Sequence, residues 1–181
     1  TSLSRIKSAA NGTLAWFETG EVVEGSADAR LELWKFGLSI WPEKPWLGHG
    51  REGVVQRLHE KIAQGEVHPW IKSLTGLHNE PIQLLAEQGL IGLFSWVMIF
   101  TTSAVVFGRA YLQRNRVLKV LGQAGLMIVA ASLLFGLSDM NLMLNANRQI
   151  FVLLLMTITA LVIAERRKTQ LLPKPTSLQS G

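Results

Sequence analysis

The sequence predicts an all-α, polytopic membrane protein, in which a helical loop outside the cytoplasm is followed by three C-terminal transmembrane helices. Two observations predict this class. The apolar residues of the 181-residue chain concentrate after residue 88, in three long runs that are almost free of charge. Positive residues gather in two short stretches beside those runs, as expected for loops that stay in the cytoplasm. The alternative is a soluble all-α protein with buried helices, which these long uncharged runs do not favour.

Composition excludes several functional classes. The net charge is +5, but residues 1–88 hold 9 Lys/Arg against 11 Asp/Glu, so we expect no nucleic-acid partner. Cysteine is absent, which removes disulfides and thiolate metal ligands. The four histidines recur about every ten residues, a spacing that does not suit zinc. We therefore predict no metal and no cofactor.

The three runs define the predicted spans. Residues 89–108 contain twenty uncharged residues, about 30 Å of helix, which matches the hydrocarbon thickness of a bilayer. Residues 120–138 form the second span. The third, 150–164, has fifteen residues, fewer than the roughly 17–25 usually needed. Extending it backwards from Ile150 to Leu142 would restore the length but would add two asparagines and an arginine.

Basic residues orient the spans. The link 109–119 and the tail 165–181 each carry four Lys/Arg, and the link has no acidic residue, so both are predicted to be cytoplasmic. Residues 1–88 and the short link 139–149 then lie on the opposite, non-cytoplasmic face. Because the chain also lacks a signal peptide, we expect it to be the C-terminal part of a longer protein with earlier helices.

The non-cytoplasmic region, residues 1–88, is predicted to contain two amphipathic helices, Ala27–Trp41 and Glu52–Ala63, separated by the turn-rich segment WPEKPWLGHG. The expected apolar face of the first helix consists of Leu31, Trp34, Leu38 and Trp41. That of the second consists of Val54, Val55, Leu58 and Ile62. His49, between two glycines, is interpreted as a turn residue.

A third helix is predicted to begin after Asn79, a plausible N-cap, with Pro81 in its first turn. No breaker stronger than Gly89 follows, so we expect this helix to run straight into the first span. His78 would lie at the helix N-terminus, where partial positive charge favours the neutral imidazole that a general base requires. The alternative is that His78 only caps the helix or packs against a tryptophan.

These motifs together resemble a known family. RLELW, then PWLGHG, then HNEPIQLLAEQGLIGL is similar to the O-antigen ligase and polymerase superfamily of bacterial inner-membrane glycosyltransferases. The resemblance is strongest over Arg30–Leu93, and it extends to the three trailing helices by topology alone. It implies that Arg30 holds a lipid diphosphate and that His78 is the general base. Asp139 and Asn79 complete the substrate-binding set that the resemblance implies.

The expected reaction is that of an O-antigen ligase. Glycan would pass from undecaprenyl diphosphate to a sugar hydroxyl of the lipid A–core, with inversion and without metal, at the periplasmic face of the inner membrane. The family uses a further arginine from an earlier part of the chain, so this piece alone should be inactive. An O-antigen polymerase and a protein O-oligosaccharyltransferase share the same chemistry and stay open.

The functional class and the role of the tryptophans each have a second interpretation. A non-enzymatic transport or assembly component would place charges along a path through the membrane, whereas the predicted spans here are nearly uncharged. Four of the tryptophans in residues 1–88 either stack on sugar rings or lie in the membrane interface, and we favour an interface or packing role. They are Trp34, Trp41, Trp46 and Trp70.

Overall fold

The computed structural model describes residues 27–69, 71, 76–139, 142 and 145–171. The described chain is helical, without strands, and confirms the predicted all-α class. Its helices are α1 (Ala27–Ile40), α2 (Gly50–Ala63), α3 (Glu80–Tyr111), α4 (Arg116–Ser138) and α5 (Asn145–Leu171), with a 3₁₀ turn at Trp41–Glu43. Trp70, residues 1–26 and the end of the predicted tail lie outside the described residues.

Three helices, α3, α4 and α5, are long and apolar enough to cross a membrane. α5 has 27 residues, so the fifteen-residue apolar run lies within a helix of ample length, which begins at Asn145. Many apolar side chains of the three helices are exposed, Phe94, Leu134 and Met156 among them. Such exposure is costly in water but suits a helix whose neighbours are lipid chains. The predicted loop boundaries and the orientation stay predictions.

The chain divides into two compact units. The first contains the described residues up to Val97 together with those between Leu134 and Leu144. Its core is formed by apolar residues of α1, of α2 and of the segments that follow α2. The buried members are Leu33, Phe36, Ile40, Val54, Leu58, Val67, Ile71, Leu77 and Ala86.

The predicted apolar face of α1 was wrong in part. The most deeply buried residues are Leu33, Phe36 and Ile40, whereas Leu38 is 46% exposed. The buried face of α1 includes Gly37, where a Cβ atom would collide with the side chain of Leu77. Glycine at this position therefore lets Leu77 pack closely against α1. On α2 the prediction holds for Val54, Leu58 and Ile62, but Val55 is half exposed.

The prediction that α3 runs straight was also wrong. Gly89 has φ 64° and ψ −159°, a conformation almost restricted to glycine, and it breaks the helix. The loop between α1 and α2 pairs with the backbone groups that the break releases. Leu90 N–H donates to the Pro45 carbonyl at 2.8 Å, and His49 N–H donates to the Ala86 carbonyl at 2.8 Å. The turn-rich segment is thus hydrogen-bonded into the break in α3.

Two glycines permit that close approach. A Cβ atom at Gly89 would collide with the backbone of Trp46, and a Cβ atom at Gly48 would collide with the backbone of Glu87. Both have positive φ angles, 64° and 67°. The motif PWLGHG therefore supplies carbonyls to the break in α3, and its glycine lets two backbones touch.

The second unit comprises Met98–Leu133 and the described residues from Asn145 onwards. Its small core joins Ala110, Leu118 and Val162. Phe100 stacks on Phe151 with ring centroids 5.5 Å apart. These contacts join the second half of α3 to α4 and α5.

Candidate functional site

The site is built at the start of α3, where Asn79 links two helix ends. Its side-chain oxygen accepts a hydrogen bond from Ile82 N–H at 3.1 Å, which confirms the predicted N-cap. Its amide donates to the Leu137 carbonyl at 2.9 Å, near the C-terminus of α4. Carbonyls in the last turn of a helix lack intrahelical partners, so this bond satisfies one of them. Asn79 is 8% exposed and thus holds α3 against the end of α4.

His78 precedes the cap in an uncommon backbone conformation. Its φ is 49°, and it is the one described non-glycine residue with a positive φ. Such a conformation costs roughly 1–3 kcal/mol and persists only where surrounding contacts impose it. The contacts here fall on the preceding residue: Leu77 N–H donates to Gln83 Oε1 at 2.8 Å, and Trp34 Nε1–H donates to the Leu77 carbonyl at 2.9 Å.

The imidazole of His78 faces a carboxylate. Its Nδ1 lies 3.0 Å from Oδ1 of Asp139, and the two side chains are 25% and 59% exposed. An ionised carboxylate only accepts, so the ring donates from Nδ1–H, and the neutral imidazole then has its lone pair on Nε2. No described residue hydrogen-bonds Nε2. The pair can therefore present an oriented base to a molecule that approaches from solvent.

Arg30 reaches the same place from α1. Its Nη1 donates to the Ser138 carbonyl at 3.2 Å, and the side chain is exposed. A helix C-terminus carries partial negative charge, which favours a guanidinium there. No carboxylate of a described side chain lies within ion-pair distance of Arg30. Most of its donors are thus left for an anion.

All four residues of the predicted set therefore meet at the end of α4. Asn79, Arg30 and His78 bond to three consecutive residues: Leu137, Ser138 and Asp139 respectively. The sequence separations of these bonds are 58, 108 and 61 residues. The structure places the set together; the roles of its members stay predictions.

Sequence reasoning missed Glu80, whose carboxylate supports the site. Glu80 is 1% exposed, and it accepts hydrogen bonds from Trp96 Nε1–H at 3.2 Å and from Leu142 N–H at 2.7 Å. A Cβ atom at Gly136 would lie 2.5 Å from its Oε2, so glycine there allows the carboxylate to approach α4. The Glu80 carboxylate thus lies against Gly136 before Asp139 and is hydrogen-bonded to Leu142 after it. The one available signal was an acidic residue directly after the N-cap.

His49, Trp34 and Trp46, which the sequence singles out, lie outside the site. The His49 side chain is 5% exposed, and its Nε2 lies 2.9 Å from the Ile40 carbonyl, in agreement with a turn residue. Trp34 packs against the core of the first unit, as the packing interpretation predicts, whereas Trp46 is 66% exposed. Among the described residues, no group of three or more His, Asp or Glu is placed to hold a metal ion.

Comparison with known proteins identifies the family that this chain matches. A family model described as O-antigen ligase matches residues 2–97, which include Arg30, His78 and Asn79. An O-antigen ligase of Pseudomonas aeruginosa is 27% identical over 117 residues, 65% of this chain and 24% of that protein. An uncharacterized protein of Haemophilus influenzae is 26% identical over 82 residues, 45% of this chain and 21% of that protein. The chain spans about a quarter or less of the length of these curated relatives.

The fold and the site define a class: a multi-pass membrane protein in which Arg30 and the His78–Asp139 pair meet at the C-terminal end of α4, one of its long apolar helices. The family match covers more than half of the chain. The chain therefore belongs to the O-antigen ligase family, and the superfamily expected from its motifs is confirmed.

Proposed function

We propose that this chain carries the base and one diphosphate-binding arginine of an O-antigen ligase. The enzyme would transfer glycan from undecaprenyl diphosphate to a sugar hydroxyl of the lipid A–core. The observation that carries the proposal is the His78–Asp139 pair beside Arg30, at the end of α4. A guanidinium that forms no ion pair with a described carboxylate, next to an oriented imidazole, suits a reaction that must bind a diphosphate and activate a hydroxyl.

His78 would act on the acceptor. Asp139 accepts a hydrogen bond from Nδ1–H, so the lone pair on Nε2 takes the proton of the sugar hydroxyl as its oxygen attacks the anomeric carbon. The new C–O bond forms as the bond to the diphosphate breaks, and that electron pair leaves with the diphosphate. Attack opposite the leaving group inverts the anomeric carbon. A positioned base of this kind typically contributes a factor of about 10²–10⁴ to the rate.

Arg30 would act on the donor. A guanidinium can bind two oxygens of a diphosphate at once, and its charge stabilises the negative charge that grows as the leaving group departs. Its bond to the Ser138 carbonyl fixes its position and leaves further N–H groups for the ligand. In this mechanism arginine charge does the work of a Lewis acid, so we expect transfer to need no metal and no cofactor.

The proposed site lies at the periplasmic face of the bacterial inner membrane. The basic link after α3 and the basic tail would be cytoplasmic, which places the end of α4 on the opposite side. A lipid-linked donor keeps its diphosphate at the membrane surface, where a site at the end of a transmembrane helix can reach it. The C-terminus would then be cytoplasmic.

The test uses the full-length gene in a strain deleted for it. His78→Ala and Arg30→Ala are compared with His59→Ala and Lys35→Ala, which change an exposed histidine on α2 and an exposed lysine on α1. Lipopolysaccharide is separated on a gel, and each protein is quantified in the membrane. We expect both site variants to lose polymer-capped core while lipid-linked polymer accumulates, and both controls to retain the wild-type ladder.

Other outcomes would contradict the proposed roles or support a different function. A wild-type ladder from both site variants would remove the catalytic roles. If deletion left capping intact but shortened chains to one unit, the protein would be a polymerase. If deletion changed only protein glycosylation, it would be an oligosaccharyltransferase, and if it altered none of these products, a transport or assembly component.

A further inference from the structure

A second polar site lies in the second unit, beside the first turn of α4. A pocket of about 460 Å³ is lined by residues from the end of α3, the turn after it, the first turn of α4 and the last turns of α5. Two of its lining residues are arginines, Arg109 and Arg166. None of the residues proposed for glycan transfer lies in it.

The two guanidiniums have no acidic partner among the described side chains. Neither Arg109 nor Arg166 is within ion-pair distance of a carboxylate among the described side chains. The nearby acid, Glu165, instead accepts a hydrogen bond from Asn115 at 2.9 Å. Arg166 is half-buried and Arg109 is exposed, so the guanidinium of Arg166 has lost part of its hydration and would gain more from an anion in the pocket.

Hydrogen bonds from Asn115 connect the elements around the pocket. Asn115, in the turn between α3 and α4, donates to Glu165 and to the Thr169 hydroxyl of α5, while its own side-chain oxygen accepts from the first N–H groups of α4. This residue therefore ties the turn to α5 and fixes the distance between the elements that carry the two arginines.

The apolar part of the pocket indicates what kind of anion fits. Leu112 lines it and is 79% exposed, and Leu118 lies at its base, 3% exposed. The pocket is at the ends of three helices long and apolar enough to cross a membrane, where head groups lie. A ligand there meets two cationic groups and an apolar surface at the same depth, and basic pockets between transmembrane helices are typical of anionic-lipid sites.

We infer that this pocket binds the phosphate of an anionic phospholipid head group, with Arg109 and Arg166 on the phosphate and Leu112 against the start of an acyl chain. The inference rests on the pocket and not on the glycan-transfer site, so either can fail alone. Each basic residue near a membrane surface contributes about a fivefold gain in affinity for anionic lipid. The two arginines together therefore contribute about 30-fold.

The experiment measures thermal unfolding of the full-length protein in neutral detergent, as dioleoyl phosphatidylglycerol is added. Dioleoyl phosphatidylcholine, which has the same chains and no net charge, is the lipid control, and inorganic phosphate is the soluble-anion control. The pocket variant is Arg109→Gln with Arg166→Gln. The matched control is Arg114→Gln with Arg167→Gln, which removes the same charge from residues that do not line the pocket.

We expect phosphatidylglycerol to raise the unfolding temperature of the wild type and of the control pair. The pocket pair should need about 30-fold more lipid for half the shift, and Arg109→Gln alone about fivefold more. Equal weakening of both pairs, an equal shift with phosphatidylcholine, or a full shift with inorganic phosphate would each overturn the inference. If the pocket pair does not fold, the lipid comparison on the wild type and the single variant still decide the question.

Discussion

Replacing Gly89 with alanine tests how the loop is joined to α3. The conformation at Gly89 is almost restricted to glycine, so alanine there costs about 1–3 kcal/mol in backbone strain. The new Cβ atom would also collide with the Trp46 backbone and displace the loop. That displacement would break the backbone hydrogen bonds Leu90–Pro45 and His49–Ala86, each of which contributes about 1 kcal/mol to stability. The total loss is about 3–5 kcal/mol.

The assay is unfolding of the full-length protein by increasing SDS in mixed micelles, followed by near-ultraviolet circular dichroism. Gly108→Ala is the matched control, because it lies on the same helix and a Cβ atom there has no neighbour within 4 Å. Alanine at an ordinary helical position stabilises by about 0.5–1 kcal/mol. We expect Gly89→Ala to unfold at clearly lower SDS and Gly108→Ala to unfold no earlier than wild type. Equal behaviour of the two variants would refute the account of the break.

Three further perturbations follow. Asn79→Ala should destabilise the full-length protein by about 1–2 kcal/mol in the same SDS titration, because the cap and the bond to α4 are both lost; an unchanged midpoint would contradict this. Gly136→Ala should disturb the buried carboxylate of Glu80 and shift the near-ultraviolet spectrum; a wild-type spectrum would count against that contact. Hydrogen bonds from Arg57 and then Gln56 hold the pKa of Glu60 below its ordinary value. The stability that this lowered pKa provides is present above the pKa of Glu60 in the unfolded chain and is lost as pH falls through its pKa in the folded protein. Arg57→Gln should therefore make the free energy of unfolding fall less steeply with decreasing pH on the acid side.

Much of the fold could be predicted because its signals are local. Three uncharged runs predict three helices from length and composition alone, and Asn79 followed by Pro81 is a start signal that needs no tertiary information. The loop helices were located to within one or two residues for the same reason, since the prolines at 42 and 45 and the glycine at 50 lie beside their ends.

The errors came from contacts between distant segments. Gly89 looked like a tolerable residue inside a helix, and only the loop at Pro45 and Trp46, whose carbonyls pair with the released backbone groups, makes the break favourable. The buried face of α1 was misassigned because Gly37 lets Leu77 pack where a larger residue would not. Glu80 escaped notice because burial of a charge cannot be seen along the chain.

The site residues were chosen by resemblance, and their meeting point was not predictable. Arg30 and Ser138 are 108 residues apart, and no periodicity relates α1 to the end of α4. The left-handed backbone of His78 was equally hidden, since it depends on Gln83 and Trp34 holding the preceding residue.

We propose that Asp139 acts through His78, as an orienting group for the base. The most direct test is a double-mutant cycle on single-turnover glycan transfer by purified full-length protein, with lipid-linked glycan and lipid A–core. We predict that His78→Ala slows transfer by about 100-fold or more and Asp139→Asn by about 10- to 100-fold. In the His78→Ala protein, Asp139→Asn should change the rate by less than about twofold, because no imidazole is left to orient. If the rate losses of the two single variants multiply in the double variant, the two residues act independently, which would contradict the account.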